Sequence, residues 1–157
     1  EEDVWLNEGR ADYASTILGY DDIYEGSNLS GRVRDFLQNP SDPLTEWKDG
    51  KYDYAAVNVF LHYLVDHYSL DILSKPMKLK SVGIDSINDY LFNISSPDRF
   101  EQIFTNWTIA LAINNCQAHF RYCYINHNLK VVQKNYIKSG IKKLFLAQLI
   151  CEKLFLL

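Results

Sequence analysis

The chain has 157 residues, 47% hydrophobic and 14% aromatic, which is enough to bury the core of one domain and too apolar for disorder throughout. Its net charge of −4 hides an uneven spread: residues 117–157 hold seven Lys or Arg against the single acid Glu152, leaving nine basic and nineteen acidic side chains before them. So acidic a front excludes nucleic acid as its partner, and three cysteines without a CxxC pair exclude a disulfide framework or a structural zinc motif.

The first residue is Glu, and no charged start with an apolar stretch follows it, so the chain reads as an internal piece of something longer. Asp3 is placed to cap a first helix over residues 4–18, with Val4, Trp5 and Leu6 entering it and Ala11, Ala14, Ile17 and Leu18 forming an apolar stripe. Gly19 suits its exit. From Gly19 to Gly50 the composition turns to Gly, Asn, Asp, Ser and Pro, and predicts a long surface loop with a short helix around Val33 to Leu37.

Tyr54, Val57, Leu61, Leu64, Val65 and Tyr68 then recur at helical spacing, while Val59, Phe60 and Tyr63 make the opposite side apolar too. A helix apolar nearly all round is normally central. Asp85, Ile87, Tyr90 and Leu91 suggest a short helix, and Ser96-Pro97-Asp98 reads as the start of another, with Phe100, Ile103, Phe104, Trp107 and Leu111 as its buried face and Asn114-Asn115 as its end.

Beyond it, Cys116 and Cys123 are near enough in sequence to close a small loop. Residues from Tyr124 to Val132 read as strand or irregular, and Ile141 to Leu157 as a terminal helix. Lys142, Lys143 and Lys153 leave that helix amphipathic, suited to an anionic membrane surface and not to a span, which needs about 20 apolar residues. The tail's composition also permits a segment unrelated to the domain before it.

Among residues able to carry chemistry, Glu8 and Asp12 stand one helical turn apart. Two acids so placed repel each other unless a cation, a histidine or a proton intervenes, although an acidic solvated face is the commoner reason for such a pair. The string Trp5-Leu6-Asn7-Glu8-Gly9-Arg10-Ala11-Asp12-Tyr13 resembles the segment of gluzincin metallopeptidases, the aminopeptidase-like and hyicolysin-like families, that carries the third zinc ligand. The segment from Tyr54 to Leu64, Val82 to Ile87, and Phe100 to Ala112 with its Phe-x-x-Trp pattern resemble later helices of that group, so that about residues 3–115 are covered.

The resemblance implies Glu8 as a zinc ligand and Asp12 as a group orienting a zinc-bound histidine. It also implies a tyrosine at the start of the next long helix whose hydroxyl stabilises an oxyanion; Tyr52, three before Ala55, fits that place, and Tyr54 competes for it. The function implied is zinc-dependent hydrolysis of a peptide or protein substrate, at an extracellular or cell-surface location. The expected architecture is the all-α C-terminal subdomain of a gluzincin peptidase over residues 1–115, followed by a basic tail over 116–157.

One departure bears on activity. Two histidine ligands and a general-base Glu should come from an HExxH helix, and this chain has none. His62 and His67, five residues apart, stand about 140° apart around a helix and do not replace that i, i+4 pair. By itself the chain is expected to be inactive, with Zn2+ bound only alongside histidines from an upstream segment. The rival is a catalytically silent helical interaction module that uses the Gly19–Gly50 loop to bind a partner. Asn28-Leu29-Ser30, Asn93-Ile94-Ser95 and Asn106-Trp107-Thr108 match the glycosylation acceptor pattern, a short motif that also arises by chance.

Overall fold

A computed structural model describes residues 2–20, 26–126 and 129. Among them it contains six α-helices and no strand: α1 (Val4–Ile17), α2 (Asn28–Gln38), α3 (Lys51–Tyr68), α4 (Asp71–Ser74), α5 (Gly83–Asn93) and α6 (Phe100–Ile113), with a 3-10 turn at Pro76–Lys78. The all-α class expected from the sequence is what the described residues adopt.

The doubly apolar helix is α3, and it is central: every residue from Ala55 to Leu64 is buried. α1 and α2 pack along it on one side. Gly9 permits the α1 contact, since a Cβ there would run into Val57 Cγ1 and lie 2.8 Å from Leu61 Cδ1. On another side α6 lays Trp107 against Phe60, with ring centroids 5.0 Å apart, and Phe100 stands 5.7 Å from the same ring. These edge-on aromatic contacts add to the area that the three buried side chains remove from solvent.

Two helix boundaries and one cap differ from the sequence reading, each for an identifiable reason. The predicted short helix around Val33 is an 11-residue helix, α2, because the Ser27 hydroxyl accepts the Ser30 N–H at 3.2 Å and Leu29, Val33 and Phe36 form a buried stripe at i, i+4 and i+7. The loop of Gly19–Gly50 is correspondingly shorter. At Ser96-Pro97-Asp98 no helix starts, because the Asp98 carboxylate is taken by Tyr68 (2.9 Å) and Arg121 (2.5 Å); α6 begins at Phe100, whose N–H donates to Asn88 Oδ1 at 2.8 Å. Asp3 occupies the N-cap position of α1, yet its carboxylate does not cap it; its backbone carbonyl accepts from the N–H groups of Leu6 and Asn7.

Across the change of composition at Cys116, the described residues 116–126 stay packed on the helices before them. Cys116 and Cys123 form a disulfide across seven residues, and the loop they close is bound to α3. Tyr63 donates to the Arg121 carbonyl at 2.8 Å, and His67 Nε2 donates to the Cys123 carbonyl at 2.9 Å. Tyr124 is wholly buried; its hydroxyl accepts from Trp107 Nε1 at 2.6 Å and donates to the Val59 carbonyl at 3.3 Å. The Asp66 carboxylate takes the N–H groups of Ile125 (2.7 Å) and Asn126 (3.0 Å). The segment from Tyr124 to Asn126 is irregular, and the expected terminal helix over 141–157 lies outside the described residues. No helix among the described residues is long and apolar enough to cross a membrane.

Candidate functional site

Glu8 leaves the exposed edge of α1 half-buried and turned toward the first turn of α3. There the Tyr54 hydroxyl lies 3.2 Å from Glu8 Oε2 and also 3.2 Å from Asp49 Oδ1. A phenol has one proton, so at any instant it serves one of the two carboxylates. The Tyr54 ring is fixed by the edge of Trp47, at a centroid distance of 4.8 Å, and by the Arg32 guanidinium 4.8 Å from its centre. Burial first, and then the facing carboxylates of Glu8 and Asp49, raise the Tyr54 phenol above its ordinary range, which keeps it protonated and able to donate.

Asp12, one turn further along α1, is occupied on both oxygens. Oδ1 accepts Arg32 Nη2 at 2.9 Å and Asn28 Nδ2 at 3.3 Å, while Oδ2 accepts Arg32 Nε at 3.1 Å and Asn58 Nδ2 at 2.7 Å. The two arginine bonds are the side-on fork that matches a carboxylate. The cation that relieves the Glu8 and Asp12 repulsion is therefore Arg32 from α2, and four donors from α2 and α3 fill the positions through which Asp12 would orient a histidine.

Tyr52, the tyrosine favoured by the resemblance, stands apart from this contact; its ring carries the Lys51 ammonium 4.7 Å from the centroid. Tyr54 is the tyrosine that meets Glu8. Local sequence motifs do not mark Trp47, Asp49, Arg32 or Asn58 as site residues. The Leu29, Val33 and Phe36 spacing carried a usable signal for Arg32, because it defines a helix with Arg32 beside the buried stripe.

The two histidines face different neighbours. His62 is 1% exposed, with Nε2 3.4 Å from Thr16 Oγ1 and its ring 4.8 Å from that of Tyr13; burial lowers its pKa to about 4, against the pull of Asp12. His67 is turned to the disulfide loop, and burial lowers its pKa as well. Neither approaches Glu8 as a ligand partner, and among the described residues no three His, Cys, Asp or Glu side chains converge on a point that would hold a metal ion. Glu8 has the chemistry of one zinc ligand, but the described residues do not make up a zinc set.

Of the acceptor patterns, Asn106 is buried in α6 and the Asn28 amide donates to Asp12 and to Ser15 Oγ, whereas Asn93 is exposed at the end of α5. Compared with known proteins, the chain matches no family model, no curated protein and no solved structure.

Proposed function

We propose that the described helices form one side of a gluzincin-type zinc peptidase site, with Glu8 as a metal ligand and Tyr54 as the hydroxyl donor. The observation that carries this reading is the 3.2 Å approach of the Tyr54 hydroxyl to Glu8, which joins two residues 46 apart that the resemblance had singled out on separate helices. The Asn-Glu-Gly string also acquires a physical reason, since Gly9 lets α1 sit close enough to α3 for the two side chains to meet. The Cys116 to Cys123 bond accords with an oxidising, extracellular setting.

In this reading Glu8 would hold a zinc together with ligands from outside the described residues, and the ion when bound would supply Lewis acidity. Tyr54, held protonated, donates to a developing oxyanion on a peptide substrate. Asp49 offers the same hydroxyl an alternative acceptor and so restrains its position. Asp12 locks α1 to α2 and α3 through Arg32 and Asn58, and acts on the site only by fixing the helix that carries Glu8.

The test is zinc content and peptide cleavage in protein expressed together with the coding sequence that precedes Glu1. Glu8→Gln should abolish metal occupancy and nearly all turnover. Tyr54→Phe should keep the metal and lower kcat by about 10²–10³-fold, while Tyr52→Phe changes neither. Zinc and turnover retained in Glu8→Gln would defeat the assignment. A second reading, a silent helical interaction module, is favoured by the engagement of all four Asp12 acceptor positions. An upstream sequence without HExxH, together with no zinc uptake, would select it.

A further inference from the structure

Arg10 lies two residues beyond Glu8 on α1, about 200° around the helix axis, and so belongs to the opposite side. Its side chain is only 9% exposed, and its Nη1 is paired with the Glu2 carboxylate. That carboxylate is engaged on both oxygens, because the other one accepts the N–H groups of Gly83 at 2.6 Å and Asp3 at 3.1 Å. Nε and Nη2 of Arg10 are buried and have no hydrogen-bond partner among the described residues. These two N–H groups point the same way along one edge of the guanidinium and form the fork that takes an oxyanion in two parallel bonds. The molecule provides its own comparison: the same two atoms of Arg32 grip Asp12.

The Arg10 side chain lines a cleft of about 260 Å³ between α1 and the segment leading from the 3-10 turn to α5. Asn7 and Lys80 contribute polar groups, and Met77 and Val82 an apolar wall. The charged lining residues are Arg10, Lys80 and Glu2, so the cleft has one positive charge in excess, which a single carboxylate balances and a phosphate dianion overshoots. Met77, unbranched and 63% exposed, is the most exposed apolar side chain of the wall and the one with most freedom to adapt to a ligand.

We infer that this cleft is a second binding site, in which the free edge of Arg10 takes the carboxylate of a peptide, from its C-terminus or an acidic side chain, with the adjoining residue against Met77 and Val82. The site is independent of the zinc reading, since Arg10 lies on the side of α1 opposite Glu8 and makes none of the contacts of the Glu8 and Tyr54 pair.

The experiment uses the whole chain and three probes: trialanine as the free acid, trialanine amide and inorganic phosphate. The Arg10 Nε–H proton is followed by nuclear magnetic resonance, with the thermal transition as a second readout. The free acid should shift the Arg10 signal saturably at millimolar concentration and raise Tm, and the amide should do neither. An N-acetylated Ala-Asp-Ala amide separates the side-chain carboxylate from the terminal one, and binding of either supports the site. Arg10→Lys should weaken binding at least tenfold, because an ammonium replaces a two-pronged fork. An acid and an amide that act alike, an equal or stronger response to phosphate, or no saturable shift would overturn the proposal. Should Arg10→Lys fail to fold, the comparison of acid with amide on the native chain still decides.

Discussion

Gly9 is the residue on which the approach of α1 to α3 depends, because a single methyl group would overlap Val57 and Leu61 in the packed interface. Gly9→Ala should lower the stability to urea by about 1–3 kcal/mol, the usual cost of overpacking a filled core, despite the better helix propensity of Ala. Unchanged stability would show that the two helices can separate without loss. His62 leads to a prediction about pH. Its folded pKa of about 4 lies below the ordinary 6.5, so between these values the unfolded chain binds the extra proton. Stability is therefore complete above about pH 6.5 and falls as the pH drops toward 4, by roughly 3 kcal/mol from this group in all. Urea midpoints from pH 7 to 4.5 should decline more steeply in the native chain than in His62→Gln; parallel curves would mean that the imidazole titrates in the folded state as it does in water.

At the scale of the element, Asp12 joins three helices through one carboxylate. Arg32 reaches it from α2 and Asn58 from α3, and the Arg32 side chain keeps only 21% of its surface. Asp12→Ala leaves that guanidinium and the Asn58 amide without their acceptor. The loss should be about 2–3 kcal/mol, below the 3–5 typical of a fully buried pair because water still reaches Arg32. Since Arg32 also lies over the Tyr54 ring, the Tyr54 environment should change with it, visible as altered tyrosine absorbance. A variant with native stability and an unperturbed tyrosine spectrum would show that α2 is held by its apolar stripe alone. α2 also explains why composition misled: a segment rich in Ser, Asn, Gly and Arg still forms a helix when Ser27 caps it and three apolar residues share a face.

Across the whole molecule, the disulfide loop fastens the end of the described chain to its centre. Arg121 in that loop pairs with the buried carboxylate of Asp98 and with the Tyr68 hydroxyl, so the loop supplies the charge that lets Asp98 lie between α5 and α6. Reducing the bond, or replacing both Cys116 and Cys123 with Ser, should cost about 2–3 kcal/mol from loop entropy, and more if Arg121 leaves Asp98. Guanidinium unfolding with and without reductant measures it. Coincident curves would show that Tyr124 and the Asp66 contacts hold the segment unaided.

What was legible in the sequence was whatever depends on neighbours along the chain. The period of α3, with Val57, Leu61 and Leu64 on one side and Phe60 and Tyr63 on the other, required a central helix, and Asn114 at a φ of 39° ends α6 where its type suggested. Glu8 was legible as a carboxylate in need of a partner, because it stands amid Trp5, Leu6 and Tyr13. Which partner it meets depends on residues far along the chain. That Glu8 meets Tyr54 and not Tyr52 follows from how α3 packs against α1, a close approach that Gly9 permits; the fate of Asp12 follows from an arginine twenty residues away in a helix that composition concealed. Asp98 behaves likewise: locally a helix start, it is claimed by Tyr68 and Arg121 across the fold. Periodicity decides where an apolar face points, whereas the pairing of buried polar groups is settled by whichever donors the finished packing brings within reach.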